Sequence, residues 1–400
     1  MDFEKTVTEL STDTPSKIIL LVMDGLGGLP RNGKTALEAA HTPHLDDLAR
    51  QSSCGLSDPV SMGITPGSGP AHLSLFGYDP LKYLLGRGIL EAIGVGVKVG
   101  RDDLVARGNF ATHKDNLIID RRAGRIPTAE NAKLCEKINA FLGSRKGPRI
   151  KVYPGKEHRF VVKFSGEGLS DKLSDADPQK ENKPRAYSQP LNDKAKKTAD
   201  HVNSFLEDLT KFLKDSSPAN TVLLRGFAKH PSLPTMQDLF KIKPVALANY
   251  PMYKGLARLA GMDVVDVGPE IENLFDKLDE VYTDYNFFYI HVKKTDAAGE
   301  DGNYDAKKEA IEKTDGYVPR LTAKNAEVLV VTSDHSTPSL LKSHSWHPNP
   351  FMLHAHTAMP DDVETFSERS CSHGYLGMFQ AIHAMPLMLA HAGKLQKYGA

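Results

Sequence analysis

An α/β fold, with a core domain interrupted by a second α/β domain, is predicted by three features of the sequence. First, the continuous apolar runs Ile18 to Met23, Phe287 to Val292 and Glu327 to Ser333 read as strands covered on both faces, the habit of parallel sheets. Second, an aspartate stands at or just past the end of each run: Asp24, Asp296 and Asp334. Ligands of open α/β sheets gather at that carboxyl edge. Third, these runs come from both ends of the chain, and the stretch between them has a different texture.

That stretch, from about 94 to 240, carries short strand-like pieces such as Asn116 to Asp120 and Arg159 to Phe164, separated by polar turns and helices. Residues 166–200 have little apolar content and read as a long exposed loop, followed by a helix over roughly Asp200 to Lys214. The expected organisation is a core domain of residues 1–93 and 241–400 with residues 94–240 inserted. A chain of 400 residues accommodates two or three domains. Lys+Arg and Asp+Glu both number 50, so the formal charge is zero, which speaks against nucleic acid or an anionic membrane as partner. Cys54, Cys135 and Cys371 form no CxxC pair; the pattern is that of a reduced, cytoplasmic protein without disulfides or a thiolate metal site. The opening MDFEKTVTELSTDTPSK is polar and acidic, unlike a signal peptide, and Ile18 to Met23 is far too short to span a bilayer.

Several residue groups can carry chemistry. Asp24, in Met23-Asp24-Gly25-Leu26-Gly27-Gly28, suits a metal ligand or nucleophile, and equally a turn former; GxGG preceded by Asp is not a dinucleotide loop. Ser68 lies between Gly67 and Gly69 before the helical Ala71 to Phe76, where an anion is favoured. It reads equally as a helix N-cap. Asp334-His335, with His344 nine residues on, is the strongest local signal: carboxylate and imidazole without thiolate suit Mn, Zn, Mg or Fe. His347 reads as a surface histidine rather than a spare ligand. Asp296 and Glu300 share a helix side, or form a plain acidic first turn. Arg121 beside Asp120, Arg159 beside His158, and Arg225 cluster in the middle region at strand ends, a grouping suited to bidentate capture of carboxylate or phosphate.

These motifs resemble the cofactor-independent (2,3-bisphosphoglycerate-independent) phosphoglycerate mutases of the archaeal type, in the alkaline phosphatase superfamily. The resemblance runs over most of the chain: LVMDGLGG (21–28), TPGSGPAHLSLFGYDPLKYLLGRGILEAIGVGV (65–97), ARGNFAT (106–112), DRRAGR (120–125), EHRFVV (157–162), LLRG (223–226), YPMYKGLARLAGM (250–262) and TSDHSTPSLLKSHS (332–345). It implies an alkaline-phosphatase-like three-layer core with an inserted phosphotransferase domain. It also implies interconversion of 3- and 2-phosphoglycerate, a glycolytic and gluconeogenic step, without 2,3-bisphosphoglycerate. Two divalent ions (Mn, Mg or Zn) are implied, one held by Asp24, Ser68, Asp334 and His335, the other by Asp296, Glu300 and His344. Ser68 would be the nucleophile, forming a phosphoserine. Asn109, Asp120, Arg121, His158, Arg159 and Arg225 would bind substrate, with Arg225 and Lys254 also assisting the chemistry. A monomer or small homo-oligomer is expected.

Two positions depart from the family pattern. The second metal site there has histidine where this chain has Glu300, a harder, charged ligand. The stretch Leu173 to Gln179 is altered from the family's DTDPH. Other readings are a metal-dependent phosphatase or phosphotransferase for another small phosphorylated carboxylate, and an impaired homologue that binds phosphometabolites without turnover.

Overall fold

The computed structural model describes residues 3–143 and 148–399. The chain forms two compact units: Met1–Leu84 with Leu233–Ala400, and Leu85–Ser232. The second begins earlier than residue 94 and ends before 240, because the helix Arg87–Gly94 packs on the strands Asp103–Lys114 and Thr221–Lys229 rather than on the first sheet. No helix among the described residues is long and apolar enough to cross a membrane.

The first unit is built on an eight-stranded sheet, ordered Asp263–Val264, Pro244–Ala248, Phe287–Val292, Ile18–Met23, Val328–Thr332, Asn349–His354, Ser53–Asp58 and Gly377–Gln380. The first five are parallel to one another. The sheet is mixed, because Asn349–His354 runs antiparallel to both of its neighbours. All six residues of Ile18–Met23 are buried, as a strand covered on both faces requires. One face (Ile19, Leu21, Met23, Phe288, Ile290) packs on the helix Ile271–Val281 and on residues such as Leu37, Leu48, Ile311 and Leu321. On the other, Tyr289 meets Phe76, just past the helix Ser68–Leu75, at 5.0 Å between ring centres. This gives three layers, helix on sheet on helix. Met23 stands opposite Val292 and Val22 opposite Thr332, so the residues that follow these strands emerge at one edge.

The second unit holds a six-stranded antiparallel sheet, ordered Arg149–Pro154, Arg159–Ser165, Asp103–Lys114, Leu117–Asp120 and Lys183–Pro184, with Thr221–Lys229 also paired to Asp103–Lys114. Alternation along Asp103–Lys114 sends Leu104, Ala106 and Phe110 into a core shared with Phe160, Phe205 and Leu209. Residues 166–192 form a long, largely exposed irregular stretch, as expected from composition, but it is anchored to the sheet. Leu169, Leu173 and Ala176 are buried in that core, Ala176 bridges to Leu224, and the helix Lys196–Phe212 starts earlier than the expected Asp200. The sparse apolar residues of the stretch fall where the chain touches the sheet, a spacing that neither helix nor strand periodicity reveals. Thr221–Lys229 likewise runs through Arg225, which lies within the strand rather than after it.

Candidate active site

Asp24, Asp334 and His335 converge at the carboxyl edge of the first sheet, and Asp296 and His344 lie beside them. The glycine after Asp24 is obligatory: Gly25 has φ +64°, and a Cβ there would stand 2.7 Å from Asp296. Burial alone would raise the Asp24 carboxyl. The Nε2 hydrogen bond of His291 (3.1 Å) and the charges of His291, Lys293 and His335 outweigh burial and hold it well below the usual range. Asp334 accepts from the Gly25 amide at 3.1 Å and faces His72 Nδ1 at 3.2 Å. Asp24 Oδ1 and Asp334 Oδ2 are buried without a hydrogen bond, a costly state for carboxylate oxygens unless a cation completes them.

The hydrogen bonds also select imidazole tautomers. The Thr337 hydroxyl donates its one hydrogen to Asp296 and so receives His335 Nδ1–H, 3.1 Å away. The His335 Nε2 lone pair then points at Asp334 (3.1 Å), Ser68 Oγ (3.2 Å) and Asp24 (3.4 Å). His344 Nδ1–H donates to the Pro66 carbonyl at 3.0 Å, leaving its Nε2 toward Asp296 (3.7 Å) and Glu300 (3.8 Å). A neutral imidazole whose second nitrogen is tied to an acceptor is the form that binds a metal. The donor set therefore fits two divalent ions. His335 lies within reach of both groups; its Nδ1 is committed to Thr337 and its Nε2 is turned toward Asp24 and Asp334. Glu300, 53% exposed, stands at the rim, pushed above the usual carboxylate range by burial and by Asp296.

Ser68 is not an N-cap. Gly67 occupies that position, with no side-chain cap, and Ser68 opens the helix Ser68–Leu75 with its hydroxyl turned to His335. Gly67, at φ −86°, has a backbone that any residue could adopt. The flanking glycines thus leave space beside the hydroxyl rather than force a turn. The Asp296 alternatives merge: it is in the first turn of the helix Lys294–Glu300, and it is fully buried toward the site.

Lys254 forms an ion pair with Asp266 at 3.3 Å, and among the described residues none with Asp24, Asp296 or Asp334. Lys293 takes that place, 3.1 Å from Asp24 and also paired with Asp296. Burial works against its charge, but those two aspartates raise the ammonium above its ordinary value. Sequence reasoning missed Lys293, His72, His291 and Thr337. Register contained a signal for the first, because Lys293 follows Val292 as Asp24 follows Met23, across one parallel pair.

In the second unit, sheet register assembles a basic pocket. Arg107 stands opposite Arg225, and Asn109 opposite Arg159, on the face away from the core. With Arg121, Arg122, Arg125, Glu157 and His158 they line a cavity of about 200 Å³. Asp177 clamps Arg121 through two bonds (2.6 and 2.9 Å), and Asp175 holds Arg225 at 3.4 Å. The altered stretch thus supplies both carboxylates that orient these guanidiniums. Asp120 is not in the lining: its carboxylate accepts from the amides of Arg122 (2.7 Å) and Gly124 (2.6 Å) and shapes the turn. Burial first, then the Arg159 charge, pushes His158 down from 6.5 to about 4. The imidazole is expected to stay neutral at about pH 5.5 in an NMR titration; an ordinary midpoint near 6.5 would contradict this environment. An unfolded chain protonates this histidine first, so its effect on stability is absent above pH 6.5 and destabilises the fold as pH falls toward about 4.

The model of the 2,3-bisphosphoglycerate-independent phosphoglycerate mutase family matches residues 49–220. A Thermosipho africanus protein named probable 2,3-bisphosphoglycerate-independent phosphoglycerate mutase is 53% identical over 401 residues, covering 100% of both chains. Among solved structures, the cofactor-independent phosphoglycerate mutase from Thermoplasma acidophilum is 32% identical, covers 94% of this chain and 100% of its own, and superposes with a TM-score of 0.78. A Pyrococcus horikoshii protein, 28% identical over 97% of this chain and 100% of its own, gives 0.81. Full-length identity at this level, joined to a carboxylate–imidazole cluster beside a helix-opening serine, makes the chain a member of the 2,3-bisphosphoglycerate-independent phosphoglycerate mutase family, and an isomerase.

Proposed function

We propose that the protein interconverts 3-phosphoglycerate and 2-phosphoglycerate through a phosphoserine at Ser68, with no bisphosphoglycerate required. The observation that carries this reading is the Ser68 hydroxyl, 3.2 Å from the free Nε2 of His335 and next to two buried carboxylates with unpartnered oxygens. Asp24, Ser68, Asp334 and His335 would hold one divalent ion, and Asp296, Glu300 and His344 a second. Such ions (Mn, Mg or Zn) supply stabilisation of the serine alkoxide and of charge on the phosphoryl oxygens.

The chain's own residues do the rest. Ser68 Oγ attacks phosphorus as the bond to the C3 oxygen breaks, and the glycerate hydroxyl gains the proton that serine loses. Glycerate turns, its C2 hydroxyl attacks phosphoserine, and serine recovers its proton. The N-terminus of the helix Ser68–Leu75 favours the anionic phosphoryl group there. Asn109, Arg121, His158, Arg159 and Arg225 would bind the carboxylate and phosphate groups, and Arg121 and Arg225 are oriented in advance by Asp177 and Asp175. Lys254 is assigned a supporting cationic role, and Asp120 acts through the turn it holds.

Protein supplied with Mn or Mg is expected to convert 3-phosphoglycerate to 2-phosphoglycerate without added bisphosphoglycerate. Release of inorganic phosphate instead would mark a phosphatase, and neither product from a metal-loaded protein would mark a binding protein. Glu300→His is expected to shift metal preference from Mg and Mn toward Zn, because an imidazole is the softer ligand. Unchanged activity ratios and unchanged metal content would remove Glu300 from the ligand set.

A further inference from the structure

We propose that Lys307 is a positioning residue that fixes the loops bearing Asp24 and Asp334–His335 at the separation metal binding requires; this rests on the two-ion reading above. Lys307 lies in the helix Tyr304–Asp315, whose sequence YDAKKEAIEKTD reads as an ordinary solvated surface. The structure instead leaves it 1% exposed. Lysine is almost never fully buried unless its charge is compensated. An ammonium has three donors, and here they go to three backbone carbonyls: Gly25 at 2.7 Å, Thr337 at 2.8 Å and Gly27 at 2.9 Å. Burial outweighs the favourable charges of Glu368, Asp296 and Asp24 and lowers the ammonium from 10.5 to about 8.

Those carbonyls belong to the two ligand loops. Gly25 and Gly27 follow Asp24 directly. Thr337 follows Asp334 and His335, and its hydroxyl is the group that joins Asp296 to His335 Nδ1. Lys307 itself sits on the helix that follows Lys294–Glu300, the carrier of Asp296. One ammonium therefore joins the loop after Asp24 to the loop after Asp334–His335, from the helix that succeeds the carrier of Asp296, at a turn where Gly25 admits no side chain. Groups that orient ligands from behind in this way tune metal affinity roughly 10–100-fold. Removing this one would also take a donor from the Thr337 carbonyl and leave the Gly25 and Gly27 carbonyls accepting from the Thr337 amide alone among the described residues (3.3 and 3.0 Å).

The test measures Mn²⁺ binding by calorimetry to folded, metal-free Lys307→Gln and Lys307→Met, against wild type and Lys308→Met. Among the described residues, Lys308 pairs with Glu312 on its own helix, at 3.9 Å, and with no other acidic group. The expected result is affinity lower by ~10–100-fold, milder for Gln, with near-native circular dichroism and no change in Lys308→Met. Folded Lys307 variants with wild-type affinity and stoichiometry would overturn the proposal, even with a lower Tm. Failure of both variants to fold, with or without Mn²⁺, would overturn it too, because Lys307 would then be a folding residue. If wild type binds one ion, the two-ion reading fails and the Lys307 comparison is decided on that ion; if it binds none, both fail.

Discussion

Ser68→Ala is expected to lower mutase turnover by at least ~10⁴-fold, the scale seen when a nucleophile is removed from a site that otherwise stays intact. The variant loses one oxygen from a half-buried position at a helix start, so folding should change by no more than about 1 kcal/mol. Asp24, Asp334 and His335 remain, so metal content should stay partly intact. Turnover is read from 2-phosphoglycerate formation, and the phosphoenzyme from trapping of labelled substrate on wild type. Turnover within tenfold of wild type, or label retained by the variant, would end the nucleophile assignment.

Asp24→Asn is expected to reduce the metal stoichiometry from two ions to one and to cost ~10³-fold in turnover, the several kcal/mol of charge stabilisation that one ion supplies. The amide keeps the size of the side chain but loses its charge and places an N–H₂ beside His291 or Lys293. Without metal, the variant should be less stable than wild type near neutral pH, because the contacts with His291, Lys293 and His335 that hold the Asp24 carboxyl below its usual range favour the fold and are lost with the charge. The rise in Tm on adding Mn²⁺ should shrink, since binding to the native state sets its size. A variant that still takes up two ions would show that Asp24 is not a ligand.

How much of this was legible in the sequence depends on the range of each interaction. The runs Ile18 to Met23 and Phe287 to Val292 announce themselves as strands because burial on both faces demands continuous apolar residues, and their bounds match the structure. Asp334–His335 is legible as an adjacent carboxylate–imidazole pair after a buried strand, and Asp24, which alone reads equally as a turn former, is legible through its company with Asp296 and Asp334 at strand ends. The exposed loop of 166–192 is legible from composition, whereas its anchors, Leu169, Leu173 and Ala176, are too sparse to form a pattern. Asp175 and Asp177 looked like part of a degraded motif, yet both keep their arginines.

By itself the sequence determined the α/β class, an interrupted core and a serine–carboxylate–imidazole inventory, since these follow from local apolar patterning and residue type. Only the tertiary structure decided which nitrogens carry lone pairs, that Ser68 faces His335 instead of capping its helix, that Lys293 rather than Lys254 meets Asp24 and Asp296, and that Lys307 is interior. Each of these depends on hydrogen bonds or ion pairs between residues that the fold brings together, most of them far apart along the chain. No local preference encodes such a contact; the parallel register of Ile18–Met23 with Phe287–Val292 and Val328–Thr332 creates it.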